Sequence, residues 1–87
     1  MLEVLYLGDK TKPDISLDCV GLYCPEPVFR TRQEIDKLEA GEVLEVVADD
    51  PAAEEDIPRL VKRLGNLKLV DMYKDDDEIH FIIKKVE

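Results

Sequence analysis

Asp14-Ile15-Ser16-Leu17-Asp18 alternates apolar and polar residues, the period of a half-buried strand. Ile15, Leu17 and Cys19 share parity and are expected to face a core, and the chain then turns at Gly21. Over 25–40 the period becomes helical, with Val28, Thr31, Ile35 and Leu38 on one stripe and Gly41 as the stop. Arg30–Glu34 and Arg32–Asp36 stand four apart on the outer side, a spacing that permits ion pairs. Residues 42–48 predict a strand with Leu44, Val46 and Ala48 on one face, and Val43, Glu45 and Val47 on the other. Asp50-Pro51 resembles a helix cap followed by a first-turn proline. Pro58 is expected to break the pattern, because a proline deep in a helix loses a hydrogen bond and clashes with the preceding turn. The expected solution is a short turn at 52–55 and a helix restarting near Asp56. That helix buries Ile57, Leu60, Val61 and Leu64 and ends at Gly65. Residues 67–74 and 78–85 read as a hairpin joined by Asp75-Asp76-Asp77. Ile79, Phe81 and Ile83 share one of its faces, and the less regular first strand suggests a bulge.

The order β-α-β-α-β-β predicts an α+β fold: a two-layer sandwich with a mixed four-stranded sheet and both helices on one face. The open face would carry Val43, Val47, Ile82 and Val70, apolar enough to hint at a partner or a weak homodimer in an otherwise monomeric protein. Residues 1–12, with Leu2, Val4, Leu5 and Leu7 ahead of turn chemistry, are expected as an extra N-terminal edge strand or a loosely held arm. A single domain would then occupy 13–87.

Composition narrows the function. At 87 residues and 45% hydrophobic the chain can bury one small core. Its 21 acidic against 12 basic residues give a net charge of −9. That argues against direct nucleic-acid binding and against charge-driven docking on anionic lipid. No apolar run is long enough to span a bilayer, and no basic stretch followed by an apolar one opens the chain, so the expected compartment is the cytoplasm. Two cysteines are too few for a disulfide framework and should rest there as thiols.

The candidate chemistry lies in Leu17-Asp18-Cys19-Val20-Gly21-Leu22-Tyr23-Cys24-Pro25-Glu26-Pro27. Cys24 is expected as a helix N-cap, with Pro25, Glu26 and Pro27 as the next three residues, where a missing N–H costs the helix nothing. Only the amides of Glu26 and Val28 would remain to favour a thiolate, and the Glu26 carboxylate would oppose it. The expected feature is therefore an exposed, rigidly presented sulfur rather than a strongly acidic one. Cys19 reads as an inert core residue. His80, opposite in parity to Phe81, is expected on the open face, solvated or partner-facing. One histidine and two cysteines make a thin ligand set, so no metal and no cofactor are expected. Asp75-Asp76-Asp77-Glu78 lacks the loop length and glycine of an EF-hand and reads as a solvated turn.

Gly21-Leu22-Tyr23-Cys24-Pro25-Glu26-Pro27 resembles the Cys-Pro-x-Pro signature of the TusA/SirA-like sulfur-carrier proteins. Gly41-Glu42-Val43-Leu44-Glu45-Val46 is similar to that family's second strand. Ala48-Asp49-Asp50-Pro51-Ala52 with Asp56-Ile57-Pro58-Arg59 is similar to its second signature, and Ile82-Ile83-Lys84-Lys85 to its closing strand. Val20, Leu60, Val61 and Asn66 depart from the family pattern, and all four lie outside the cysteine motif. The resemblance implies the same sandwich fold and a sulfurtransferase of the carrier type. Cys24 would take sulfur as a persulfide from a cysteine desulfurase or another persulfide donor. It would pass it to an acceptor protein in tRNA thiolation, cofactor maturation or sulfur metabolism. Pro25, Glu26 and Pro27 would support the motif, Asp18 and Gly21 would shape the turn, and Tyr23, Asp49 and Asp50 would face partners. Two rival readings are a thiol–disulfide protein cycling Cys19 with Cys24, and a non-catalytic interaction module.

Overall fold

The computed structural model describes residues 13–86; the N-terminal strand or arm expected at 1–12 lies outside them. The elements run β1 (Ile15–Cys19), α1 (Glu26–Lys37), β2 (Val43–Ala48), α2 (Ala53–Leu64), β3 (Leu67–Asp75) and β4 (Glu78–Lys85). They form a four-stranded sheet in the order β1-β2-β4-β3, with β1 parallel to β2 and β4 antiparallel to both of its neighbours. This is the α+β arrangement the period changes predicted, with β4 inserted between β2 and β3.

Strand parity sets the core. Cys19, Leu44, Val46, Ala48, Ile79, Phe81 and Ile83 point to one side and cluster with Ile35 and Leu38 after and along α1 and with Ala53, Ile57, Leu60 and Val61 of α2. Both helices therefore cover one face. A bulge at Val70 shifts the β3 register between Leu69 and Asp71, as the broken alternation suggested. β3 is an edge strand, and Lys68, Asp71, Lys74 and Asp75 along it discourage pairing with another strand. No helix among the described residues is long and apolar enough to cross a membrane.

Four local expectations change. α1 stops at Lys37 rather than running to residue 40, because Leu38 turns extended (ψ 146°) to bury its side chain. α2 is one helix with Pro58 inside it, not two pieces. The buried stripe of Ala53, Ile57, Leu60 and Val61 runs straight through Pro58, so burial on both sides of the proline outweighs the lost bond. On α1, Arg30 pairs back to Glu26 at 3.6 Å and Glu34 takes Lys37 at 3.3 Å, instead of the forward pairs the spacing offered. The hairpin closes through Asp76-Asp77 alone, since Asp75 pairs with Glu78, and Asp76 takes the left-handed conformation such a turn needs (φ 57°).

The open face carries Val43, Val47 and Ile82 as expected, but Val43 and Ile82 are buried, and Val70 sits on the bulge. Next to them, His80 Nδ1 lies 2.9 Å from Glu45 Oε2 and its ring stacks on Tyr73. His80 is on the predicted face, but it is engaged by these two side chains rather than solvated.

Candidate functional site

β1 and β2 are parallel, so their C-terminal ends and the loops that follow them lie together. The β1–α1 loop carries the cysteine motif, and the β2–α2 loop supplies what holds it. Val20 N–H donates to Asp18 Oδ1 at 2.9 Å and Gly21 N–H to Asp49 Oδ1 at 2.9 Å. Leu22 N–H donates to the Cys19 carbonyl at 3.1 Å, Cys24 N–H to Asp50 Oδ2 at 2.7 Å, and Glu26 N–H to the Tyr23 carbonyl at 2.8 Å. Gly21 sits at φ +88°, a conformation that disfavours any side chain, and this reverses the chain out of β1. Asp50 does double duty, because its Oδ1 also accepts the Ala52 amide at 3.1 Å in the turn leading into α2.

Pro25, not Cys24, is the N-cap of α1, and the Cys24–Pro25 peptide is cis. Glu26 becomes the first helical residue and Pro27 the second, buried against the core. The shift by one residue matters for the sulfur. The Glu26 amide, expected to be free for a thiolate, is already bonded to Tyr23. Glu26's carboxylate turns to Arg30 and is not the group opposing ionisation.

That group is Asp56, which sequence reasoning did not single out for the site. Cys24 Sγ lies 3.4 Å from Asp56 Oδ2 on the first turns of α2. The hydrogen bond to this carboxylate pushes the Cys24 thiol above its usual range; desolvation and the charges of Asp56 and Asp50 add to the effect. The signal for Asp56 was present in Asp56-Ile57-Pro58-Arg59, read only as part of a motif.

Cys24 is exposed, and Cys19 is fully buried in β1 with its thiol pushed up by burial. Tyr23 (74% exposed) and Phe29 (61%) flank the motif as large apolar side chains in solvent. The structure thus brings Asp18, Gly21, Asp49 and Asp50 together around the Cys24 loop, leaves Tyr23 free at its rim, and points Glu26 away. The arrangement can present a protonated sulfur to a docking protein. Among the described residues it gathers no metal-binding cluster.

Comparison with known proteins agrees with this architecture. A protein of Archaeoglobus fulgidus, named as a candidate sulfur carrier protein, is 54% identical over 72 residues, covering 82% of this chain and 92% of that protein. The sulfur carrier protein TusA of Pseudomonas syringae is 39% identical over 72 residues, covering 83% and 86%. The crystal structure of a SirA-like protein from Desulfitobacterium hafniense superposes with a TM-score of 0.68 at 28% identity, covering 84% of this chain and 99% of that one. The model of the family described as sulfurtransferase TusA matches residues 15–85, and the chain belongs to that family.

Proposed function

We propose that this chain works as a sulfur carrier whose Cys24 accepts sulfane sulfur as a persulfide from a cysteine desulfurase or a similar donor and relays it to an acceptor protein. The observation that carries this reading is the exposed Cys24 sulfur on a loop held amide by amide by Asp18, Asp49 and Asp50. Transfer is attack of a thiolate on a persulfide sulfur, which needs one accessible sulfur held still and no deep pocket. Pro25 and Pro27 stiffen the loop, and Gly21 allows its turn. Tyr23 and Phe29 are apolar contacts for a docking protein, and the acidic rim at Asp49 and Asp50 favours partners with a basic surface. The chain acts in the cytoplasm on protein partners, as a monomer or a weak homodimer, without binding nucleic acid. Cys19, wholly buried, is poorly placed for a disulfide cycle with Cys24.

Intact-protein mass spectrometry after incubation with a cysteine desulfurase and cysteine tests the proposal. One reductant-labile sulfur atom should appear on the wild type and on Cys19→Ser, and not on Cys24→Ser. No gain from desulfurase, thiosulfate or polysulfide would overturn it. A loss of two hydrogens requiring both cysteines would replace it with the redox reading.

A further inference from the structure

The contact between Cys24 and Asp56 is not a chance meeting of two loose side chains. Asp50 anchors the Cys24 backbone. Asp56 is held by its place in α2, where its amide donates to the Ala52 carbonyl at 3.0 Å. Its second oxygen, Oδ1, faces Arg59 Nη1 at 3.7 Å, leaving Oδ2 for the sulfur. The surroundings offer little to a thiolate. Of the first four amides after Cys24, Pro25 and Pro27 have none and that of Glu26 is taken by Tyr23, which leaves that of Val28. The positive end of α2 faces Asp56 and its acidic first-turn neighbours Glu54 and Glu55.

Resting on the carrier reading above, we propose that Asp56 is a positioning residue for Cys24. It accepts the thiol hydrogen bond, holding the unloaded sulfur as an S–H turned onto α2, and lets go of the loaded form. The chemistry supplies the release. In loading, Cys24 Sγ attacks the outer sulfur of the donor persulfide. The Sγ–S bond forms, the donor S–S bond breaks, and the Sγ proton ends on the departing donor thiolate, with no net oxidation. Sγ then has no proton to give Asp56. The new terminal sulfur, acidic and close to the Asp50 and Asp56 carboxylates, is repelled toward solvent and the acceptor. The unloaded carrier is thereby shielded from small oxidants and electrophiles, because the reactive species is the thiolate.

The test is the pH profile of iodoacetamide alkylation at Cys24 in a Cys19→Ala background, with and without Asp56→Asn. The amide substitution keeps the shape and removes the charge. The expected result is a profile displaced to lower pH and a several-fold faster reaction at pH 7, with unchanged circular dichroism. Release of sulfur from the loaded protein to cyanide should differ little between the two. Coincident alkylation profiles would overturn the proposal. If Asp56→Asn does not fold, native Cys19→Ala is compared with the same chain in denaturant: a native profile not displaced to higher pH overturns the proposal equally. Failure of the carrier reading looks different, since it leaves the wild type without any sulfur gain while these profiles still separate.

Discussion

Asp50 is the most informative single substitution. Its two carboxylate oxygens serve two different elements: Oδ2 accepts the Cys24 amide at 2.7 Å and Oδ1 the Ala52 amide at 3.1 Å. Asp50→Ala removes both bonds. Each involves a charged acceptor, but the site is partly open to water, so about 1 kcal/mol apiece is the appropriate scale, about 2 kcal/mol in all. For a domain of this size that lowers Tm by about 8–16 °C. Asp50→Asn separates the two roles, because an amide offers one oxygen and must turn an NH2 toward one of the two donors. It should cost about half as much, a fall of about 4–8 °C. The assay is thermal unfolding followed by far-ultraviolet circular dichroism, with amide hydrogen exchange of Cys24 measured by NMR. The Cys24 amide should lose protection in Asp50→Ala before the core strands do. A Tm within about 2 °C of wild type in Asp50→Ala, together with unchanged Cys24 protection, would refute the view that this carboxylate braces the loop.

Three further outcomes follow from particular contacts. Thr31 is fully buried and its hydroxyl has no hydrogen-bond partner among the described residues, so Thr31→Val should stabilise the fold by about 1 kcal/mol, read as a rise in Tm. Ile57 is completely buried between α2 and the sheet, and Ile57→Ala should cost about 2–5 kcal/mol in a urea titration. Burial pushes the Cys19 thiol up, so folding favours its protonated form. That contribution is intact below the usual thiol range and is lost as pH rises through the higher folded value. Cys19→Ala should therefore flatten the alkaline fall of stability, measured by urea unfolding across that range, while sulfur loading at Cys24 persists.

Much of this was legible in the pattern of residues. Parity placed Leu44, Val46, Phe81 and Ile83 in the core, and broken alternation found the bulge at Val70. The cysteine motif itself pointed to the loop proposed as the site. The misjudged features depended on energies that local patterns do not carry. Pro58 carries a local cost of about 3 kcal/mol, whereas burial of Ala53 before it and Ile57 beside it decides for one continuous helix. Arg30 had acidic residues four away on both sides, and spacing alone cannot choose between Glu26 and Glu34.

Asp56 was hidden for a different reason. A contact 32 residues away in sequence exists only once β1 and β2 pair in parallel and bring their following loops together. The motif taken alone sets the amides of Glu26 and Val28, which favour a Cys24 thiolate, against the Glu26 carboxylate, which opposes it. The fold changes both sides of that balance. Moving the N-cap to Pro25 consumes the Glu26 amide, and the β2–α2 loop and α2 bring Asp50 and Asp56 to the sulfur. A thiol held protonated is less often a thiolate but a stronger nucleophile when it becomes one, since nucleophilicity rises with pKa. The structure therefore favours a sulfur that is quiet toward solvent and reactive once its proton is taken at an encounter.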